Sequence, residues 1–322
     1  MDRDGETQGQ VTSFAVGAAE AGGTLAAALR VALGGIPWRR ARDLCASGKV
    51  RVVGAVTRDP ATRVAEGAWV EVDHAAPRPR AGTLAREAFV HVDQDVVVVR
   101  KPAGVATMRD APGDKDSLAD LTRAGLRRLP GERDRGDRTL GVVHRLDRDT
   151  TGLVVFARTY EAKRVLAAQF RAHEAAREYV AIVHGDARAA RIESHLLPDR
   201  GDGVRGSVEA WRGRGAAIPA HAKRAVTHVT VRESLRGATC VECRLETGRQ
   251  HQVRIHLAEA GHPLVGETVY VRDYAGPRIA AARPMLHAMA LGFAHPRTGA
   301  AMAFTEPAPP DLEGLVAALR RG

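Results

Sequence analysis

His144-Arg145-Leu146-Asp147-Arg148-Asp149-Thr150-Thr151-Gly152 leads directly into the apolar run Leu153-Val154-Val155-Phe156. Polar residues followed by a short apolar run predict a loop that enters a buried strand. Asp147 lies in this loop between two arginines, and nearby positive charge favours the ionised form of a carboxyl group. Such a carboxylate can serve as a nucleophile or a base, although the same composition is also typical of a structural ion-pair cluster.

Strand-like and helical patterns alternate on both sides of this loop. Upstream, residues 89–92 and 96–99 form strand-like runs that end at the sequence Lys-Pro-Ala-Gly of residues 101–104. Downstream, the patterns predict an amphipathic helix and three strands, at residues 161–170, 179–183, 226–231 and 239–245. Thr247 is a suitable cap for a further helix that Gly261 would end. Residues 311–321 predict a last amphipathic helix.

The chain divides by composition into four segments. Residues 1–20 are polar and lack a sustained period, which predicts a flexible tail. Residues 21–74 combine a leucine-spaced helix, a basic helix and short strands, and so form a small domain. Residues 75–87 contain two prolines and no period, which predicts a linker, and residues 88–322 form a second, larger domain.

The composition is that of an ordinary globular chain with a basic surplus. Its 322 residues include 48 Lys and Arg against 38 Asp and Glu, a net charge of +10 that favours polyanionic partners, nucleic acid before an acidic membrane surface. No apolar stretch approaches the roughly 20 residues of a membrane span. The three cysteines are too few for a disulfide framework. We therefore expect a cytoplasmic protein that binds nucleic acid and no membrane.

Five cations cluster within the small domain. Because clustered Lys and Arg contact phosphate groups, we expect this cluster to supply salt-sensitive affinity for nucleic acid. Its members are Arg39, Arg40, Arg42, Lys49 and Arg51. The alternative is a solvated basic face without a ligand.

Several ordered strings resemble the RluA family of pseudouridine synthases. HRLDRDTTG at 144–152 is similar to the family's HRLD-x-x-T-S-G motif, with Thr151 where the family usually has Ser. The resemblance extends to VVVRKPAGVAT (97–107), REYVAIVHG (177–185), KRAVTHVTV (223–231), VECRLETGRQHQVRIHLAEAGHPLVGETVY (241–270) and MLHAMALGFAHP (285–296). Residues 21–74 resemble the alpha-L, or S-four-like, RNA-binding domain.

The resemblance implies a fold, a reaction and roles for individual residues. The fold is an α+β catalytic domain around a mixed, largely antiparallel sheet, preceded by a small αβ domain. The reaction is isomerisation of uridine to pseudouridine in structured RNA, without a cofactor or a metal. Asp147 is implied to be the nucleophile, Arg145 to help flip the target uridine, Tyr179 to stack on uracil, and Arg249 to pair with Asp147.

Other readings of these residues stay open. Large-subunit ribosomal RNA is the favoured substrate, and transfer RNA is the alternative. Two alternatives to synthase activity are open. One is a noncatalytic RNA-binding or ribosome-assembly factor, and the other is a nucleoside hydrolase, whose mechanism would prefer a second carboxylate. Cys240 and Cys243 are predicted strand residues rather than zinc ligands, and the Gly-rich residues 201–206 a mobile loop rather than a dinucleotide site. We expect a monomer.

Overall fold

The computed structural model describes residues 11–76, 84–109, 117–130, 140–213 and 215–320. The chain forms two compact units, one comprising Met1–Arg80 and Gly201–Val204, the other Ala81–Arg200 and Arg205–Gly322. In the described ranges no helix has both the length and the apolar character that a bilayer crossing requires. Residues 77–83 of the predicted linker lie outside the described ranges, so the exact domain limits stay a prediction.

The first unit packs two helices against a small antiparallel sheet. Its elements are β1 (Val11–Ala15), α1 (Leu25–Ala32), α2 (Trp38–Ala46), β2 (Val50–Val52), β3 (Ala55–Val56) and β4 (Trp69–Asp73). The strands lie in the order β1-β4-β2-β3. Thr24 caps α1 by accepting a hydrogen bond from the Ala27 amide at 3.2 Å, and Leu25 and Leu29 are fully buried.

The prediction of a flexible tail over residues 1–20 is wrong for residues 11–15. These residues form β1, whose partner along its whole length is β4, with Val11 opposite Asp73 and Ala15 opposite Trp69. The strand is short and only partly buried, and its apolar residues are separated by polar ones. Backbone pairing with β4 fixes it, and that pairing leaves no signal in the composition of the segment. Residues 1–10 lie outside the described ranges.

The second unit contains the remaining elements, built around one large sheet. Its strands are β5 (Phe89–Val92), β6 (Val96–Lys101), β7 (Gly141–Val142), β8 (Thr151–Ala157), β9 (Ala176–His184), β10 (Ala190–Leu197), β11 (Gly206–Ser207), β12 (Lys223–Leu235), β13 (Ala238–Leu245), β14 (Leu286–Ala294) and β15 (Ala301–Thr305). Its helices are α3 (Leu118–Leu126), α4 (Tyr160–Ala172), α5 (Val208–Arg212), α6 (Gln252–Glu259) and α7 (Pro310–Arg320).

The large sheet is mixed and largely antiparallel, which confirms the fold that the resemblance implied. Within the described residues its strands follow the order β11-β10-β12-β13-β9-β14-β8-β6-β5, with β15 paired to β14 and β7 to β8. β14 and β8 run parallel, with His287 opposite Thr151. Both faces of β6 and β8 are covered, which explains why these strands read as continuous apolar runs rather than alternating ones.

Two local predictions differ from the structure. Helix α6 begins at Gln252 instead of after Thr247, because the Thr247 hydroxyl accepts from the Val226 amide at 2.9 Å and donates to the Gln252 side chain at 2.7 Å. The Gly-rich segment predicted to be a loop ends in a strand, since Gly206 begins β11, which pairs with β10. The other predicted strands and helices of this unit are present within a few residues of the expected limits.

Candidate active site

The Asp147 loop joins β7 to β8 and is anchored on both sides of the aspartate. Before it, the Thr107 hydroxyl donates to the Leu146 carbonyl at 2.8 Å and accepts from the Leu146 amide at 3.0 Å. After it, the Thr150 amide donates to the Asp147 carbonyl at 3.2 Å. His144 accepts from the Val155 amide at 3.0 Å, which ties the start of the loop to β8. These bonds fix the backbone that carries the carboxylate.

Lys101, at the end of β6, holds the second half of the same loop. Its fully enclosed ammonium group donates to the carbonyls of Arg148 at 2.6 Å, Thr150 at 2.8 Å and Pro102 at 3.0 Å. Burial lowers the pKa of Lys101 to about 7, against the opposing effect of the aspartates of the loop. Three carbonyls use all three N–H groups of the ammonium, so this lysine has a positional role in the site.

Asp147 lies in a strongly positive environment and is 15% exposed at its side chain. Its Oδ2 is 3.6 Å from Nη1 of Arg254, and its Oδ1 is 3.8 Å from Nε2 of His251. Burial alone would raise the pKa of Asp147, but His251, Arg254, Arg145 and Lys101 outweigh burial and hold it below its ordinary value. The carboxylate is therefore ionised at neutral pH.

A buried ion pair holds Arg254 in place. Its Nε and Nη2 donate to the two carboxylate oxygens of Glu267 at 2.8 and 2.7 Å, and the Glu267 side chain is 0% exposed. The same carboxylate also accepts the backbone amides of Thr268 at 3.0 Å and Val269 at 2.9 Å. This two-point pairing fixes the plane of the guanidinium and so fixes the cation that faces Asp147.

His251 precedes α6 in a conformation that is uncommon for residues other than glycine. Its φ of 60° lies in the left-handed region, and its Nδ1 is hydrogen-bonded to the Tyr270 hydroxyl at 2.7 Å. The two rings meet edge to face, with centroids 5.7 Å apart. Backbone strain of this kind clusters at functional sites. The resemblance implied no catalytic role for His251, Arg254, Glu267 or Tyr270, although all four lie in the string at 241–270.

Tyr179 and Arg145 both lie close enough to the Asp147 carboxylate to interact with its charge. Tyr179 projects from β9 into the core and is 7% exposed, and burial raises its pKa to about 12, with Asp147 adding to that rise. The phenol is therefore neutral. Arg145 is exposed beside Asp147 and contributes to the low pKa of that residue. The structure thus brings both predicted residues to the Asp147 site; their roles toward the base stay predictions.

The predicted pairing of Arg249 with Asp147 is wrong. Arg249 donates its Nε to the Arg224 carbonyl at 3.0 Å, whereas Nη1 of Arg254 lies within ion-pair distance of Asp147, at 3.6 Å. The physical reason is the true start of α6. Gln252 opens that helix, so Arg254 lies in its first turn, whereas Arg249 lies in the preceding loop.

The predicted RNA-binding cations lie on the first unit. Arg39, Arg40 and Arg42 are exposed on α2, and Arg51 is exposed on β2, where its Nη1 donates to the Gly54 carbonyl at 3.2 Å. Lys49 differs, because it is half-buried and its ammonium group donates to the His74 carbonyl. Contact with RNA stays a prediction for all five residues.

The described residues contain two groups of potential metal ligands, a pair of cysteines and a cluster of two aspartates and a histidine. Cys240 and Cys243 are buried on β13 in separate core clusters on opposite faces of the strand, so they cannot ligate one ion together. Asp93, Asp95 and His295 have possible ligand atoms within 4.8 Å of one another. Asp95, however, accepts two hydrogen bonds from Arg297 at 2.6 and 2.8 Å, which makes it part of an ion pair.

Comparison with known proteins agrees with this fold. The model of the family described as RNA pseudouridylate synthase matches residues 95–259. Ribosomal large subunit pseudouridine synthase D of Zymomonas mobilis is 37% identical over 287 residues, which cover 86% of this chain and 87% of that protein. The protein of the same name from Pseudomonas aeruginosa is 36% identical, with 85% of each chain covered.

The fold is also found among solved structures. Human RNA pseudouridylate synthase domain containing 4 superposes with a TM-score of 0.58 at 21% identity, covering 73% of this chain and 93% of the human one. The mixed sheet of the second unit is therefore that of the pseudouridine synthase fold. The chain belongs to the RNA pseudouridylate synthase family, whose members are isomerases that act on RNA.

Proposed function

We propose that this protein converts uridine to pseudouridine in large-subunit ribosomal RNA, with Asp147 as the catalytic carboxylate. The observation that carries the proposal is the state of Asp147, which is ionised in a partly enclosed site and faces a fixed guanidinium 3.6 Å away. The relatives from Zymomonas mobilis and Pseudomonas aeruginosa, whose names specify the large ribosomal subunit, support this substrate over transfer RNA.

The reaction requires a bond to be moved within one nucleotide. The bond between N1 of uracil and C1′ of ribose breaks, a bond from C5 to C1′ forms, C5 loses its proton and N1 gains one. Asp147 acts by attack on C1′, by attack on the ring, or as a base toward a glycal intermediate. All three routes need the carboxylate in its ionised form, which the surrounding cations provide.

The neighbouring residues have complementary roles in this proposal. Uridine in structured RNA must leave its stack before C1′ can be reached. Exposed Arg145 is suited to take the place of the extruded base, and the neutral ring of Tyr179 to lie against uracil. Arg254, held by Glu267, keeps the carboxylate oriented and ionised. The exposed arginines of α2 supply affinity for phosphate without reading sequence.

The reaction is tested with purified protein and an unmodified large-subunit ribosomal RNA transcript that carries tritium at C5 of uridine. Isomerisation releases the C5 tritium to water, whereas a nucleoside hydrolase releases free uracil. We expect tritium release by the wild type and none by Asp147→Asn, with RNA affinity within a few-fold of the wild type. Asp149→Asn, the same change two residues along the loop, is the matched control and keeps activity.

Two outcomes would sink the proposed mechanism. The first is tritium release by Asp147→Asn at the wild-type rate, and the second is free uracil as the product. Tritium release from transfer RNA but not from ribosomal RNA would instead support the alternative substrate.

We further propose that the protein works as a monomer in the cytoplasm, where ribosomal RNA is its partner. Sedimentation of the purified chain alone and with RNA tests the monomer.

A further inference from the structure

Arg177 is a buried cation on the strand that carries Tyr179. The two residues are separated by one position on β9, so their side chains leave the strand on the same face. Arg177 is 6% exposed, and its guanidinium lies over the ring of Phe170, 5.7 Å from the ring centroid. None of the roles derived above uses this arginine.

The charge of Arg177 has no carboxylate partner among the described residues. Its Nη2 donates to the Glu246 carbonyl at 3.2 Å. Its Nε is buried and has no hydrogen-bond partner among the residues that the structure describes. Burial lowers the pKa of Arg177 below its ordinary value, and Arg249 lowers it further. A buried guanidinium is ordinarily paired with an anion, because an unpaired one loses its hydration without compensation.

The Arg177 guanidinium lies next to an exposed glycine, Gly248. Gly248 is exposed, and a Cβ atom at this residue would collide with Nη1 of Arg177. The end of the guanidinium therefore occupies the space that a side chain at residue 248 would need. Arg249 lies near Arg177 and extends the positive region, because its charge lowers the pKa of Arg177. His173 is uncharged at neutral pH, since burial first, and then Arg249 and Arg177, lower its pKa.

We propose that Arg177, beneath Gly248 and with Arg249 and His173 beside it, binds one phosphodiester group of the RNA chain that crosses the active site. This inference rests on the proposed function for the identity of the ligand as RNA. A phosphate oxygen would supply the anion and the acceptor that the guanidinium lacks, and a planar guanidinium suits the two-point geometry of phosphate. Because Tyr179 lies two residues away on the same face, the bound phosphate would belong to the nucleotides around the target uridine.

The decisive variant is Arg177→Met, which replaces the buried cation with an apolar chain of similar length. A structural role and a ligand-binding role predict opposite effects on stability. If Arg177 stabilises the fold, the variant unfolds at a lower urea concentration than the wild type. If Arg177 instead binds a phosphate of the RNA, the protein without RNA carries an uncompensated buried charge. The Arg177→Met variant removes this charge, so its urea midpoint is equal to or above that of the wild type.

RNA affinity is measured on the full chain by fluorescence anisotropy with the unmodified ribosomal RNA transcript at several salt concentrations. We expect Arg177→Met to bind about tenfold more weakly, and the slope of log K against log salt to fall by about 0.7 to 0.9, as for one lost phosphate contact. Gly248→Ala, which displaces the guanidinium, should give the same defect. Arg164→Met removes an exposed cation of α4 that is paired with Glu161 and should change neither quantity.

Wild-type affinity and salt slope in Arg177→Met would overturn the phosphate site, as would a lowered urea midpoint with an unchanged slope. These readouts measure binding and not turnover. Failure of the phosphate site therefore leaves the Asp147 experiment unaffected. An active Asp147→Asn variant would in turn leave these binding measurements valid.

Discussion

The Glu267→Gln substitution tests whether the buried ion pair behind Asp147 sets both stability and activity. Glu267 accepts two hydrogen bonds from Arg254 and three from backbone amides, and its side chain is 0% exposed. Glutamine has nearly the same shape but only one acceptor oxygen. Its NH₂ group would face donors, either those of Arg254 or the amides of residues 268–270.

Removal of one partner from a buried pair leaves the other charge uncompensated, which costs about 3–5 kcal/mol. At about 2–4 °C per kcal/mol for a unit of this size, the melting temperature should fall by about 6 °C or more. Arg254 also loses the carboxylate that fixes its guanidinium 3.6 Å from Asp147. We therefore expect kcat/KM for pseudouridine formation to fall at least tenfold, in protein that is still folded at the assay temperature.

The assay combines urea unfolding with tritium release at 25 °C. The matched control is Glu161→Gln, which breaks an exposed pair with Arg164 on α4 and should leave the urea midpoint unchanged. Equal midpoints and equal kcat/KM for Glu267→Gln and the wild type would refute the role assigned to the pair. A loss of stability without loss of activity in folded protein would refute only its link to Asp147.

Further predictions concern the loop, a glycine, the pH profile and the basic helix. Lys101→Met leaves the carbonyls of Pro102, Arg148 and Thr150 without their donor, so we expect about 2–4 kcal/mol less stability by urea unfolding and more than a tenfold loss of kcat. Gly152→Ala should cost about 2–4 kcal/mol, because φ is 121° and a Cβ would collide with the backbone of β14; a midpoint equal to that of the wild type would contradict this. The lowered pKa of Asp147 keeps the carboxylate ionised as pH falls, so kcat/KM should not decline from pH 7 to pH 5 and should be lost only below the ordinary aspartate pKa of about 3.9. An acid limb near pH 6 would argue against Asp147 as the titrating group. RNA binding should weaken, with a flatter salt slope, when alanine replaces Arg39, Arg40 and Arg42 together.

Much of the fold is readable from the sequence because its signals are local. The apolar runs that became β6 and β8 are buried on both faces, and the Asp147 loop sits where a polar string enters such a run. Capping hydroxyls mark helix starts as well, as Thr24 does for α1. Strand β1 shows the limit of this reasoning, since its partner β4 lies more than fifty residues away in the chain.

The predicted pairing of Arg249 with Asp147 is wrong for a related reason. Thr247 looks like a helix cap in sequence, but its hydroxyl is used by a strand amide and by Gln252, so α6 starts five residues later. That shift places Arg254 rather than Arg249 next to the carboxylate. His251 carries no sequence signal either, because its left-handed backbone and its bond to Tyr270 depend on tertiary contacts.

The most direct test of the central claim is pseudouridine mapping of total RNA by carbodiimide-dependent primer-extension stops in cells with and without this gene. We predict that stops disappear from defined positions of large-subunit ribosomal RNA, and that the wild-type gene restores them while the Asp147→Asn gene does not. An unchanged set of stops in large-subunit ribosomal RNA would contradict the proposed substrate. Restoration by the Asp147→Asn gene would contradict the proposed catalytic residue.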